Sequence, residues 1–279
     1  MLGSTISVLL LLVVCSGLNY YDDEDEYFVD HLLDTMPIFY KKVDMLERLH
    51  KEAENDPKKV GLIFDSYQHN CLYGDDVDPP EGLRRPFIVV EGNDRDSRKQ
   101  ITTKLSRFFG ARVMGNPPQC LGPMVPILAK DFILKRVFFS FCLYVIAYNV
   151  KHLLNIGYPV VLNGYWHDQA SFSIEKRFLK LPPKNHALYQ FPDDLFRPDI
   201  IFYINKLFPD SNPQVRFVPL WKQRTTEVYK LFTNPEIHII NIDDNPEPVK
   251  DIKAIILEKL RGRFNLTYNP PRYLDPKYF

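Results

Sequence analysis

The chain has 279 residues, 45% of them hydrophobic and 14% aromatic, with Lys+Arg 35 balanced by Asp+Glu 35. That composition excludes a disordered chain, and zero formal net charge excludes the broad positive field that gathers nucleic acid or an anionic membrane surface. The length suits one main domain with an appendage, since domains commonly run about 100–200 residues.

Taken from the start, residues 1–17 (MLGSTISVLLLLVVCSG) hold an apolar stretch from Ile6 to Val14 followed by the small residues Cys15, Ser16 and Gly17. This is the shape of a secretory signal, and it is too short for a bilayer span, which needs about 20 apolar residues. No membrane association is expected once it is removed. No Lys or Arg precedes the apolar run, and a buried first strand or helix is the other reading. The acidic run Asp22-Asp23-Glu24-Asp25-Glu26 reads as a solvated segment. From about Phe28 to Glu54, apolar side chains at Leu32, Met36, Phe39, Val43, Leu46 and Leu49 predict a helix that Asp56-Pro57 ends. A looser stretch is expected next, and GDDVDPPEGLRRP reads as a linker. The expected organisation is therefore a signal at 1–17, an acidic and helical extension with linker at 18–85, and the main domain at 86–279.

Phe87-Ile88-Val89-Val90 is a short, continuously apolar run, the mark of a strand buried on both faces of a parallel sheet. Arg98 to Phe109 has helical spacing, with Gly110 as its cap. A long apolar helix from about Lys130 to Asn155 follows, then strands at 159–162 and 199–204. A helix around Lys222 to Phe232, a strand at 237–240 and a last helix from Pro248 to Leu260 complete the pattern. Strands alternating with helices predict an α/β doubly wound parallel sheet with flanking helices. Cys142, inside VFFSFCLYVIAY, reads as a buried hydrophobe, whereas Cys71 and Cys120 are available to pair if the protein is secreted. No CxxC or His/Cys spacing suggests a metal site. Asn265-Leu266-Thr267 is a glycosylation acceptor, usable only in the secretory pathway.

The chemistry-bearing candidate lies between the first strand and the first helix of the main domain. An intact phosphate loop, G-x-x-x-x-G-K-[ST], cradles phosphate with backbone N–H groups, reaches the β- and γ-phosphates with Lys and holds Mg²⁺ with its hydroxyl. The eight residues here are Gly92-Asn93-Asp94-Arg95-Asp96-Ser97-Arg98-Lys99. Ser97 stands for the second Gly, Arg98 for the Lys and Lys99 for the hydroxyl. A one-residue slip makes Lys99 the loop lysine but puts Gln100 where the hydroxyl belongs, so neither register restores the motif. Each such electrostatic element is worth roughly 3–4 kcal/mol of transition-state stabilisation.

From Pro86 to about Leu260 the chain resembles the thymidylate kinase family of nucleoside monophosphate kinases, most closely its mitochondrial UMP-CMP kinase branch. The resemblance rests on Phe87-Ile88-Val89-Val90-Glu91-Gly92-x-Asp94, on Tyr165-Trp166-His167 after a strand, and on Leu181-Pro182-Pro183, Tyr189-Gln190-Phe191-Pro192-Asp193-Asp194-Leu195 and Arg197-Pro198-Asp199-Ile200-Ile201. It implies a P-loop NTPase-like fold, with nucleotide-binding candidates Gly92, Asn93, Asp94, Ser97, Arg98, Lys99, Arg136, Phe139, Tyr165 and Phe172. Asp94, Arg98 and Lys99 are the catalytic candidates, and Phe172 falls where the family stacks an aromatic on the base. Core packing for the Phe residues and a solvated helix face for Arg136 are the plainer readings. Where the family carries Asp-Arg ahead of the Tyr, this chain has Asn163-Gly164, and the region of the Arg-rich lid supplies only Arg216, with Lys222 and Arg224 following. Two functions are expected from this: a catalytically impaired kinase-fold protein that binds a nucleotide or a protein partner, or a divergent active kinase that uses ATP and Mg²⁺ on dTMP, UMP or CMP. The resemblance also implies a homodimer through helices such as 130–155, and a mitochondrial location as the alternative to secretion.

Overall fold

The computed structural model describes residues 37–71, 76–80, 82–178, 180–206, 224–243 and 245–268. The signal expected at 1–17, the acidic run and the expected lid region at 208–220 lie outside them. The described residues belong to one compact unit, Met36–Phe279.

Five strands form one fully parallel sheet: β1 Phe87–Gly92, β2 Arg112–Gly115, β3 Val160–Asn163, β4 Ile200–Asn205 and β5 Ile237–Asn241, in the order β2-β3-β1-β4-β5. β1 and β4 are buried along their whole length, which is why both read as unbroken apolar runs. Helix α3 Arg95–Phe109 covers one face together with α8 Pro248–Leu260. Their Ile101, Leu105, Ile252 and Ile256 pack on Ile88, Val90, Val161 and Phe202. The opposite face carries α5 Phe132–Asn155, α6 Trp166–Arg177 and the short α7 Thr225–Tyr229. This is a doubly wound α/β arrangement, a parallel sheet with helices on both faces.

Among the described residues, two helices precede the sheet, α1 Lys42–Asn55 and α2 Pro57–Asn70. The expected helix from 28 to 54 is corrected at its start: residues 37–41 are not helical, and the part before them lies outside the described residues. The looser stretch expected after Pro57 is α2 instead, because Pro at its first position suits a helix start and Asp56 caps it, accepting from Lys59 N at 3.0 Å. Met45, Leu49, Val60 and Ile63 of this pair pack against Val137, Phe138, Phe141 and Cys142 of α5. Burying α5 between this pair and the sheet explains its apolar composition on nearly every side. The disulfide Cys71–Cys120, with Cα atoms 5.5 Å apart, fastens the end of α2 to the segment after β2, and Cys142 is a free, buried thiol. A turn of helix, α4 Met124–Ile127, closes that segment.

Where the linker meets β1, Arg84 grips Asp199 through two 2.7 Å hydrogen bonds, and Asp199 also accepts from Phe87 N at 2.7 Å. Arg85, itself buried, bonds the carbonyl of Asn265 and that of Thr267. The chain is thus anchored at the bottom edge of the sheet before β1 begins.

Candidate functional site

The turn from β1 into α3 has only two residues, Asn93 and Asp94, before the helix starts at Arg95. Gly92 is required at its head: it has φ +153°, and a Cβ there would lie 2.3 Å from the Ile204 carbonyl oxygen of β4. Asn93 clasps the end of β4. Its N–H donates to Ile204 O at 3.2 Å, its amide donates to Lys206 O at 2.9 Å, and its oxygen accepts from Lys206 N at 2.8 Å. Asp96, Ser97, Arg98 and Lys99, the second half of the loop pattern, are all inside α3.

Asp94 caps that helix. Its carboxylate accepts from Ser97 N at 3.0 Å and from the Ser97 hydroxyl at 2.6 Å, and Lys206 Nζ approaches to 3.7 Å. Burial alone would raise its pKa, but the Ser97 hydrogen bonds and Lys206 outweigh it and hold the carboxyl below the usual carboxylate range. The positive end of α3, where an anion is most favoured, therefore holds a carboxylate from the chain itself.

Arg98 turns away from that end and donates to Asp168 Oδ1 of α6 at 2.8 Å. Burial would lower the Arg98 pKa; the adjoining Asp168 carboxylate reverses this and raises it. Asp168 is pushed up by its own burial, with Arg98 opposing, and its side chain keeps 39% exposure. Gly164, with φ +82°, sits against this pair: a Cβ there would be 3.1 Å from Asp168 Oδ2 and 3.8 Å from Arg98 Nη1.

Beneath the pair, fully buried Glu91 accepts from the N–H groups of Tyr165 at 2.8 Å and Asp168 at 3.2 Å and from the Tyr229 hydroxyl at 3.2 Å. It thereby binds the start of α6, and His167 Nδ1 lies 3.4 Å from its other oxygen. Tyr165 is core rather than lining: it is fully buried, edge-on to Phe87, with its hydroxyl on Phe196 O.

The acceptor-side candidates bond to one another. Arg136 donates to Ser173 Oγ at 2.5 Å and Gln169 O at 3.3 Å, and its guanidinium lies 4.4 Å over the Phe172 ring. Burial lowers its pKa to about 10, with Asp168 opposing. Lys176 covers the same ring at 4.3 Å. Phe139 packs edge-on against Phe138, and its carbonyl accepts from Gln169 Nε2 at 2.8 Å. Further along α6, burial raises the carboxyl of Glu175 to about 8.

Lys99 stands apart from these contacts. It is exposed, on the turn of α3 that faces edge strand β2, and with Arg95, Arg112 and Asn163 it lines an open cavity of about 410 Å³. The structure thus divides the candidates: Asn93, Asp94, Ser97, Arg98, Arg136, Tyr165 and Phe172 are engaged internally, whereas Lys99 faces open space. Glu91, Asp168 and Glu175 were not singled out from sequence, and each acts through partners far along the chain, up to 138 residues away for Glu91 and Tyr229. Asn265 is exposed, with its side-chain oxygen accepting from Thr267 N at 3.1 Å.

No protein-family model matches the chain. In sequence it is similar to the human UMP-CMP kinase 2, mitochondrial, with 24% identity over 181 residues, covering 58% of this chain and 40% of that protein. The chain thus spans well under half of that relative's length. Among solved structures it is similar to thymidylate kinase from Candida albicans, with a TM-score of 0.48 and 18% identity, covering 64% of this chain and 94% of that one.

Proposed function

We propose that the chain is a nucleoside monophosphate kinase-like protein that has lost most or all phosphoryl transfer and acts by binding a nucleotide or a protein partner. One observation carries the reading: the Asp94 carboxylate caps the positive end of α3, where a phosphate chain would need to lie. A triphosphate brought there would meet that fixed negative charge, with Arg98 already held by Asp168 at 2.8 Å. Phosphoryl transfer rests on positioning and charge, so losing the cradle removes most of what such a fold supplies. The residues do not fit a metal-bound triphosphate: a cation, Lys99, replaces the metal-holding hydroxyl, and Asn163 replaces a carboxylate.

The alternative is a divergent active kinase that uses ATP and Mg²⁺, favoured by the position of Lys99 on an open cavity. Thermal-shift titration with MgATP and UMP, CMP or dTMP, followed by a phosphoryl-transfer assay, separates the two. Absence of turnover is the expected result. Robust Mg²⁺-dependent turnover abolished by Lys99→Ala would replace the first reading with the second.

For location we propose the secretory pathway, supported by the Cys71–Cys120 disulfide, a bond at home in oxidising compartments. The name of the human relative favours mitochondria instead. A homodimer through α5 would have to use the part of that helix not covered by α1 and α2.

A further inference from the structure

Residues 37–41 lie in no helix or strand, yet they and Lys42, the first residue of α1, are fixed to the domain by partners far along the chain. Trp166 Nε1 of α6 donates to Phe39 O at 3.2 Å, the Tyr40 hydroxyl donates to Leu188 O at 3.1 Å, and Lys42 N donates to Asp194 Oδ2 at 2.6 Å. The last of these is a helix cap supplied from elsewhere in the sequence. Lys41, at the N-cap position of α1, makes no side-chain cap, and the Asp194 carboxylate does so at the positive end of the helix. Its other oxygen accepts from the Tyr144 hydroxyl of α5 at 2.9 Å, so one exposed carboxylate ties the start of α1 to α5.

The segment covers a groove. Pro37, Ile38 and Phe39 lie over the seam between α5 and α6, leaving beside Ser140, Gln169 and Ala170 a void of only about 10 Å³, room for no more than one water. Tyr40 extends the cover, edge-on to Trp166. Gln169 is shared between this groove and the Arg136 cluster: its carbonyl accepts from Arg136, while its side chain bonds Phe139 O and the Ser140 hydroxyl. The cover therefore closes the side of the α5–α6 seam next to Arg136 and Phe172. It fits closely, but it is lightly held. Met45 and Leu49 of α1 are completely buried, whereas Pro37, Ile38, Phe39 and Tyr40 are each half-buried and no strand pairing secures them. Segments of this kind open locally at a fraction of the free energy of global unfolding.

We propose that residues 37–42 form a displaceable strap that closes the α5–α6 groove in the resting chain, with Asp194 as its clasp, and that releasing the clasp opens the groove while the sheet stays folded. This rests on the reading of the chain as a binding protein and gives that reading a point of control, an autoinhibitory cover beside Arg136 and Phe172.

Thiol labelling of the full purified chain reads the opening. Ala170 is 1% exposed beneath the strap, so in Ala170→Cys the introduced thiol reacts with iodoacetamide only when the groove opens. Cys142, fully buried in α5, reacts only on wider unfolding and is the internal reference, with peptide mass spectrometry following both sites. In the Ala170→Cys background, Asp194→Ala should speed labelling of the introduced thiol about fivefold, the effect of a typical lost helix cap, with Cys142 unchanged. Asp193→Ala, which removes the neighbouring exposed carboxylate, should stay within about twofold, as a surface substitution does. Tyr40→Phe, which removes the bond to Leu188 O, should act in the same direction as Asp194→Ala. If Ala170→Cys fails to fold, Ser140→Cys carries the probe from the α5 side of the groove. Equal rates in Asp194→Ala and Asp193→Ala, equal acceleration at Cys142, or prompt labelling without any change in the strap overturns the proposal and leaves the loss of phosphoryl transfer standing. Turnover with MgATP would overturn that loss and leave the strap intact, since its three bonds involve no residue of the β1 turn.

Discussion

Reducing the Cys71–Cys120 disulfide should destabilise the protein by about 4 kcal/mol, because the bond closes a loop of 49 residues and the chain-entropy relation gives that magnitude at 25 °C for this length. The structure adds reasons for expecting the full effect. Cys71 is completely buried in the cluster that joins α1 and α2 to α5, so the bond ties down a helix pair held otherwise by apolar packing and a few polar contacts, such as Ser66 Oγ donating to Cys120 O at 3.1 Å. Cys120→Ser is the better variant, since Cys120 is only partly buried and a hydroxyl there costs little. Urea unfolding followed by far-UV circular dichroism, with and without reductant, measures the change. With a denaturant slope of about 3 kcal/mol per M, the midpoint should fall by roughly 1.3 M. Thiol titration of the unreduced, denatured chain should find two fewer thiols than cysteines. A full complement of thiols, or a midpoint that reductant leaves in place, refutes the pairing and with it the structural support for a secretory location.

Three further outcomes follow from the same geometry. Glu175 has its pKa raised by burial from 4.5 to about 8, so the folded state holds this proton more tightly than the unfolded. Its contribution is complete below about pH 4.5 and is lost as pH rises toward 8, up to an upper bound of roughly 5 kcal/mol at 1.36 kcal/mol per unit. Glu175→Gln should therefore flatten the fall in melting temperature between pH 5 and 8.5, and an unchanged slope would remove Glu175 as its source. Rewriting Ser97→Gly, Arg98→Lys and Lys99→Thr together restores the lettering of a phosphate loop but leaves the two-residue turn in place, so MgATP should still give no thermal shift, and loss of the Arg98–Asp168 contact should cost about 1–3 kcal/mol. A clear MgATP shift in that triple variant would show that side chains, not loop geometry, were limiting. Expression through a eukaryotic secretory pathway should add one glycan at Asn265, removable by N-glycosidase and absent in Asn265→Gln; secreted protein without it would count against use of the sequon.

The legible parts of the fold were those in which burial and periodicity agree. β1 and β4 announce themselves as unbroken apolar runs, α8 spans Pro248–Leu260 as its spacing predicts, and Gly110 ends α3 in the left-handed conformation. Helix α6 escaped because its buried side is mixed: beside the narrow apolar row Trp166, Ala170 and Ile174 lie the buried polar residues His167, Ser171, Ser173 and Glu175, which blur the helical period. β2 escaped as a four-residue edge strand containing Arg112 and Gly115, only partly buried. At the site, the substituted loop residues were legible one by one. Their pairing was not, because Arg98 meets Asp168 across 70 residues and Glu91 meets Tyr229 across 138, separations that no local pattern encodes.

Those pairings have a common logic. A nucleotide site keeps cations and N–H donors unsatisfied until its ligand arrives, and that openness costs stability in the empty protein. Here the charges around the β1 turn are matched from within: Asp94 by the start of α3 and Lys206, Arg98 by Asp168, and Glu91 by the start of α6 and Tyr229. Such an arrangement is stable without ligand, and a ligand entering it would have to break charge-assisted bonds worth about 1.5–3 kcal/mol each before forming its own.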